Sequence, residues 1–439
     1  MFTLLKLARR NILRHARYSI GSGLAVAAGF LALTLFQAYI TDIRLLYEES
    51  YEHRGMYGNV LIEHTGTIAE RRASPWEFVI SSSEQKAIDS FLAERSTEIF
   101  ATSRFLLGTG LITNGTMQTI FLMKGHSVAE GARMRGAKWD WDTALGHPLS
   151  HSKEENPLVV GLGLAEILGC TIPASAHKLS KAGNYEAAYR PFECTTKEFQ
   201  LSASTANGQT NALAGTMVGA VNAMYREIDE RFLMAPIEFV QRLYQTDAIS
   251  AYSILLNNAS KAPEFISAFN QFAADRQLPV TSANWKDHRE GEMYRRTMNL
   301  LAIFRNFVVT ILVVITGLSV FNTFLKAVKE RTREIGTLRS IGFSMRSLLA
   351  VFGMEAAMLC LLGTTAGAIL AVSLTALLNH SGIMYKAGLL ADPIPFHLAF
   401  ALEYYITSAA FLIGVSVFAA VFAAAGTTRA PIAENLIHV

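Results

Sequence analysis

The chain has 439 residues, of which 51% are hydrophobic and 17% charged, and its formal net charge is +3. The apolar residues are gathered rather than spread: four windows (18–41, 306–325, 356–385 and 404–428) contain no Asp, Glu, Lys or Arg. A hydrocarbon core of ~30 Å takes about 20 helical residues to cross, with every backbone polar group satisfied within the segment; a soluble globular fold is therefore excluded, and each window reads as a spanning helix.

The opening residues, MFTLLKLARRNILRHAR, place Lys6, Arg10, Arg14 and Arg17 at helical spacing on one side and Leu5, Ala8 and Ile12 on the other. A basic amphipathic helix beside a span lies in the membrane surface with its cations at anionic headgroups. Residues 1–17 are therefore expected to form a cytoplasmic amphipathic helix in contact with membrane lipids. Residues 18–42 form the first span. That window is longer than the apolar region of a cleaved signal and has no clear A-x-A site at its end.

Residues 43–297 read as a large α+β domain. NVLIEH (59–64) alternates as a strand does. Ser81-Ser-Ser-Glu84 has the form of a capping box opening a helix that buries Ile88, Phe91 and Leu92. Asn114-Gly115 stands between two apolar runs as a hairpin turn; Asn114-Gly-Thr116 is also a glycosylation sequon, which the turn makes unnecessary. NPLVVGLGLAEILGC (156–170) predicts a strand and then a short helix stopped by Gly169. Asn207-Gly208 marks another turn. Residues 235–244 and 262–276 read as helices flanking the strand AYSILL (251–256). Residues 131–142 and 174–191 have no readable pattern. Cys170 and Cys194 both fall in this domain, where a disulfide is permitted, but their spacing does not decide whether they pair.

The second span follows at 298–325, then a charged connection at 326–346, a third span at 347–379, a short outer loop at 380–395, a fourth span at 396–426 and a tail at 427–439. Residues 1–17 hold five Lys or Arg and no acid, 43–297 hold 25 positive and 29 negative residues, and 326–346 hold six and two. The positive-inside rule puts the N-terminus and 326–346 in the cytoplasm and the large domain outside. Within the spans, Arg305 and Glu403 lie at similar depth near the outer face, as an ion pair or as separate snorkelling side chains. Glu355 lies about two turns inside the third span, within reach of a basic residue of the N-terminal helix. Gly363 and Gly367 form a small-xxx-small pattern that permits close helix packing.

Motifs for independent chemistry are missing. There is no G-x-x-x-x-G-K-[ST], so no phosphate-cradling loop is expected. Gly161-Leu-Gly163 lacks the third glycine of a dinucleotide fingerprint. His147 and His151 are separated by Pro148 and have no cysteine or carboxylate cluster to complete a metal site. No catalytic serine set stands out, and the basic clusters border spans rather than forming a nucleic-acid face. Neither a catalytic nor a metal residue is assigned.

The charged connection carries the most specific signal. Asn322, then VKERTREIGTLRSIGF (328–343), then Glu355 with Gly363 and Gly367, closely resembles the signature of FtsX/MacB/LolC-type permeases, the type VII or mechanotransmission ABC transporters. LARRNILRHARYS resembles the family's opening helix, and the segments around 161–169, 207–222 and 226–244 resemble successive pieces of its MacB-like periplasmic core. The usual Gly-Asp after Gly169 is replaced by Pro173-Ala-Ser-Ala.

The resemblance implies a non-catalytic permease subunit in the bacterial inner membrane. It would pair with a second permease chain, as a homo- or heterodimer, and with a separate ABC ATPase that holds the ATP and Mg; this chain itself would carry no cofactor. Glu330, Arg331, Arg333, Glu334, Ile335, Gly336, Leu338, Arg339 and Gly342 would form the ATPase-coupling element. Ile335 and Leu338 would lie on its docking face, with Glu334 and Arg339 orienting it. The implied function is ATP-driven movement of the outer domains to extract or export a lipoprotein, lipid or other hydrophobic substrate. A periplasmic adaptor, lipoprotein or chaperone is a further partner of such systems. The alternative is an FtsX-like transmitter that regulates a cell-wall hydrolase.

Overall fold

The computed structural model describes residues 16–67, 76–177, 179–180, 183–223, 225–385 and 393–428. Lys6, Arg10 and Arg14, the side chain of Arg17, and the tail from 429 lie outside them. The chain forms two compact units: Met1–Arg44, Thr297–Gly382 and His397–Val439 make one, and Leu45–Arg296 with Ile383–Phe396 make the other.

The first unit is helical, with α1 (Ala16–Glu49), α2 (Glu292–Glu330), α3 (Thr332–Ser340), α4 (Met345–Ser381) and α5 (Leu402–Thr428). All but α3 are long and apolar enough to cross a membrane. α1 and α2 run beyond the charge-free windows, because a helix is held by its own backbone hydrogen bonds and charged residues do not end it. α5, by contrast, begins at Leu402 rather than 396. The side-chain amide of Asn379 both accepts from the N–H of Leu398 at 2.9 Å and donates to its carbonyl at 3.1 Å. That pairing satisfies the backbone outside a helix, just after Pro395.

Phe30, Val320, Phe324, Phe352, Ala356 and Ala420 are buried together between these helices. A Cβ on Gly363 would lie 2.8 Å from the carbonyl oxygen of Gly23, and one on Gly367 would lie 2.8 Å from that of Ala27. The small-residue pair of α4 therefore sits directly against the α1 backbone, as the spacing suggested.

The second unit is built on a ten-stranded sheet. Its strands are β1 (Val60–His64), β2 (Ile99–Thr113), β3 (Gln118–His126), β4 (Leu145–Gly146), β5 (Pro157–Gly161), β8 (Glu198–Ser204), β9 (Thr210–Val221), β10 (Phe232–Pro236), β11 (Ala251–Leu256) and β12 (Val280–Asn284); β6 (Cys170–Thr171) and β7 (Glu193–Cys194) form a separate ribbon. Pairing runs from β2 to β3, β10, β5, β9 and β8 and then returns to β2, so this part of the sheet closes on itself. The β3–β10 and β5–β9 pairs are parallel and the rest of the ring is antiparallel. The other half of β2 continues the sheet through β11, β1 and β12. Leu106, Ile112, Phe121, Val160, Phe199 and Leu233 are fully buried in the core these strands share.

Local chemistry explains the element ends. Ser81 and Glu84 form the reciprocal capping box of helix Ser82–Glu94, which buries Ile88, Phe91 and Leu92; Phe91 packs edge-on to Phe265 and Phe269. Asn114 turns the β2–β3 hairpin, its Oδ1 accepting from Met117 N–H at 2.7 Å while its Nδ2 donates to Leu168 O at 2.9 Å. Gly161-Leu-Gly163 receives a protein carboxylate rather than a phosphate: Gly163 N–H donates to Asp229 Oδ2 at 2.6 Å. Ala235 and Pro236 end β10, and the helix expected from 235 starts at Ile237. Residues 131–142 fall largely in the helix Val128–Trp139, and part of 174–191 forms the short 3₁₀ turn Ala174–His177. Cys170 and Cys194 face each other across the ribbon and are disulfide-bonded.

Candidate functional site

The charged connection between α2 and α4 is a defined element, not a loose loop. α2 continues through Lys329 and Glu330 and breaks at Arg331, whose carbonyl accepts from the N–H of Ile335 at 3.0 Å and so starts α3. The stop of α3 is a Schellman arrangement. Phe343 N–H donates to Leu338 O at 3.0 Å and Gly342 N–H to Arg339 O at 3.1 Å, with Gly342 at φ +100°. That left-handed conformation is the reason for glycine here. One residue later Ser344 caps α4, its Oγ accepting from Ser347 N–H at 3.2 Å. Ile-Gly-Phe-Ser is thus a helix stop followed at once by a helix start, a signal missed in the sequence although every residue of it is diagnostic.

The Arg331 side chain turns inward. Its Nη1 donates to both carboxylate oxygens of Glu355 at 3.2 and 3.3 Å, its Nε lies 3.2 Å from Glu334 Oε2, and its guanidinium lies over the Phe352 ring. The side chains of Arg331 and Glu355 are only 10% and 7% exposed. An unpaired ion at that depth is costly, whereas a hydrogen-bonded pair satisfies both charges. Glu355 therefore receives a cation from the connection itself; any contribution from Lys6, Arg10 or Arg14 lies outside the described residues.

Ile335 sits 3% exposed among Val328, Leu348 and Phe352. Gly336 is buried and Leu338 half-buried. This corrects the expected docking face, because the apolar stripe of α3 is spent on the chain's own helices. What remains outward is Glu330, Arg333, Glu334 and Gly342, with Ile341 72% exposed and Phe343 beside it; Arg339 is half-buried. Lys326, Lys329 and Arg346 are also exposed, so the outward surface is cationic with an apolar tip.

Arg305 and Glu403 form no ion pair with each other among the described residues. The Arg305 guanidinium lies 3.3 Å from Asn306 Oδ1. Glu403 is exposed in the first turn of α5, where the unpaired N–H groups of a helix start favour a carboxylate. Of the two readings, separate side chains hold. Among the described residues, no three His, Cys, Asp or Glu side chains come together as a metal would require.

Residues 306–432, which contain this element, match the FtsX-like permease C-terminal family. The chain carries an FtsX-like permease domain. It is similar to the pyoverdine export ATP-binding/permease protein PvdT of Pseudomonas syringae pv. tomato, 39% identical over 88 residues, which is 20% of this chain and 13% of that protein. It is likewise similar to the macrolide export ATP-binding/permease protein MacB of Agrobacterium fabrum, 35% identical over 88 residues, 20% of this chain and 14% of that one. The match thus spans about an eighth of the length of these relatives. Among solved structures, the periplasmic region of MacB from Actinobacillus actinomycetemcomitans overlaps 56% of this chain and 95% of its own at 9% identity and a TM-score of 0.33. The extracellular domain of the transporter YknZ overlaps 52% and 100% at 11% identity and a TM-score of 0.32. Likenesses that slight support nothing further. With four apolar spans and an FtsX-like domain at 306–432, the chain is a multi-pass inner-membrane protein whose large domain, between α1 and α2, is extracytoplasmic.

Proposed function

We propose that the chain is the membrane subunit of an ATP-driven export or extraction system and that α3 with the 341–343 turn is where the ATPase acts on it. The observation that supports this reading most is the split of the connection into two faces. One face is clamped to α4 by Ile335 and the Arg331–Glu355 pair; the other offers Ile341, Phe343 and a cationic surround. A solvated linker needs neither a clamp nor an apolar tip. A clamped element passes displacement to α4 without slipping, while exposed apolar residues anchor a partner and charges set its approach.

ATP and Mg belong to an ATPase domain or subunit outside these 439 residues, since no phosphate-binding loop occurs within them. Two permease chains acting with the ATPase would move the extracytoplasmic domains against a hydrophobic or amphipathic substrate, the broad class to which the macrolide and pyoverdine exporters' names point. The test uses purified complex. Ile341→Asp should leave the chain folded but lose the ATPase, because an unpaired carboxylate in an interface costs ~2–5 kcal/mol. Ile335→Asp should instead destabilise the chain itself. Retention of the ATPase by Ile341→Asp at the wild-type level would reject this docking surface.

A further inference from the structure

The extracytoplasmic domain carries a half-open cavity of about 870 Å³, a size that takes small organic ligands. Its wall draws on the π-helical turn Ser50–Arg54, β3, helix Val128–Trp139 and the start of β10. Six cations and four carboxylates line it; Arg226, Arg289 and Arg296 are exposed, whereas Arg54, Lys124 and Arg135 are the more buried cations. Arg54 is matched, donating to Asp142 Oδ2 at 2.8 Å and to Asn222 O at 2.6 Å. Among the described residues, no ion pair joins Lys124 or Arg135 to a carboxylate. Lys124 Nζ donates to Gly55 O at 2.6 Å and rests on the rings of Tyr57 and Phe105, 3.8 and 4.0 Å from their centroids.

Arg135 is the anomaly. It is 8% exposed, and among the described residues its Nη2 meets only the thioether of Met234 at 3.3 Å and its Nε has no hydrogen-bond partner. Buried guanidinium groups are ordinarily paired, since their desolvation is otherwise uncompensated. Burial, joined by the charge of Arg54, pulls Arg135 below its usual range despite Asp142. The His126 ring is pushed well below the imidazole range by burial and then by Arg135 and Lys124. Met56, Val221, Phe232 and Met234 supply the apolar part of the wall, and the carboxylates Glu227, Glu290 and Glu292 also belong to the lining.

We propose that this cavity binds an amphipathic organic anion, its carboxylate or phosphate head on Arg135 and Lys124 and its apolar chain along Met56, Val221 and Met234. A bare inorganic anion would leave most of the volume and all of the apolar wall unused. The proposal does not depend on the coupling role of α3, and the two fail separately.

The test titrates the full chain, in an uncharged detergent, with octanoate, octyl phosphate, octanol and inorganic phosphate, following melting temperature and saturable binding. The two amphipathic anions should bind saturably and raise the melting temperature, with octanol and inorganic phosphate at least about ten-fold weaker. A preference for octanoate would indicate a fatty-acid-like ligand, and a preference for octyl phosphate a lipid phosphate head. Arg135→Met should melt at or above wild type without ligand, because it removes an unpaired buried charge, yet weaken both anions about ten-fold or more while octanol is unchanged. Should Arg135→Met fail to fold, the wild-type comparison of octanoate with octanol decides alone. Equal affinity for octanol and octanoate, equal affinity for inorganic and octyl phosphate, or undiminished anion binding by a folded Arg135→Met would overturn the proposal.

Discussion

Arg331 stands at the break between α2 and α3 with its guanidinium shared between a buried carboxylate, Glu355, and a half-exposed one, Glu334. The two contacts are similar in length and should differ in value, because an exposed pair contributes ~0–1 kcal/mol while breaking a buried one leaves a stranded charge and costs ~3–5 kcal/mol. Glu355→Ala should therefore lower the stability of the purified chain by several-fold more than Glu334→Ala, and the double variant Arg331→Met with Glu355→Leu should recover most of the loss. Denaturation of the four proteins in one detergent measures this; equal effects of the two single variants would show that burial does not separate the contacts. Lys124 makes a second residue-scale prediction. Burial, opposed by Glu290 and helped by Arg135, lowers its pKa from 10.5 to about 7. Between those values the folded domain has released a proton that the unfolded chain still holds, so stability rises with pH across that window and falls as pH drops to about 7. Lys124→Met should flatten this slope and be the more stable protein at neutral pH, which melting curves at a series of pH values would reveal; an unchanged slope would mean that Lys124 is not the source.

Among the elements, α1 and α4 are joined through Gly363 and Gly367, each set against a backbone carbonyl. Gly363→Val adds side-chain atoms where 2.8 Å is available and should cost ~1–3 kcal/mol as the helices separate. Gly414→Ala on α5 meets open space and should be neutral or slightly stabilising; the two melting temperatures, compared with wild type, check the contact. These elements were largely legible in the sequence. Charge-free windows located the spans, and local chemistry located the Ser81 box, the Asn114 hairpin and the stop at Gly169. The face of α3 was half legible: Ile335 and Leu338 are spaced for burial, but periodicity says that a stripe is covered, not by what. The ring formed when β8 returns to β2 was hidden, because Leu111 and Ser202 pair with no local pattern linking such distant segments. The Arg331–Glu355 pair was hidden for the same reason, since each charge was visible and their meeting was not.

For the molecule as a whole, the proposed force reception belongs to one short element and the proposed ligand chemistry to the extracytoplasmic domain. The family match, 306–432, covers the connection, the third and fourth spans and most of the second, so the coupling reading rests on the part of the chain that the family model matches. The cavity lies outside the matched residues, and there the reading rests on the geometry of Arg135 and Lys124. The Gly208 turn, in the extracytoplasmic domain, supplies an internal control for which side of the membrane a partner meets. The most direct test of the central claim introduces Ile341→Cys and, separately, Gly208→Cys into the full complex in membrane vesicles, each labelled with a thiol-directed photo-crosslinker. Illumination should join position 341 to the ATPase polypeptide, ATP should alter the yield, and position 208 should give no such product. Absence of the product from 341 in a complex that still hydrolyses ATP, or an equal yield from 208, would contradict the central claim.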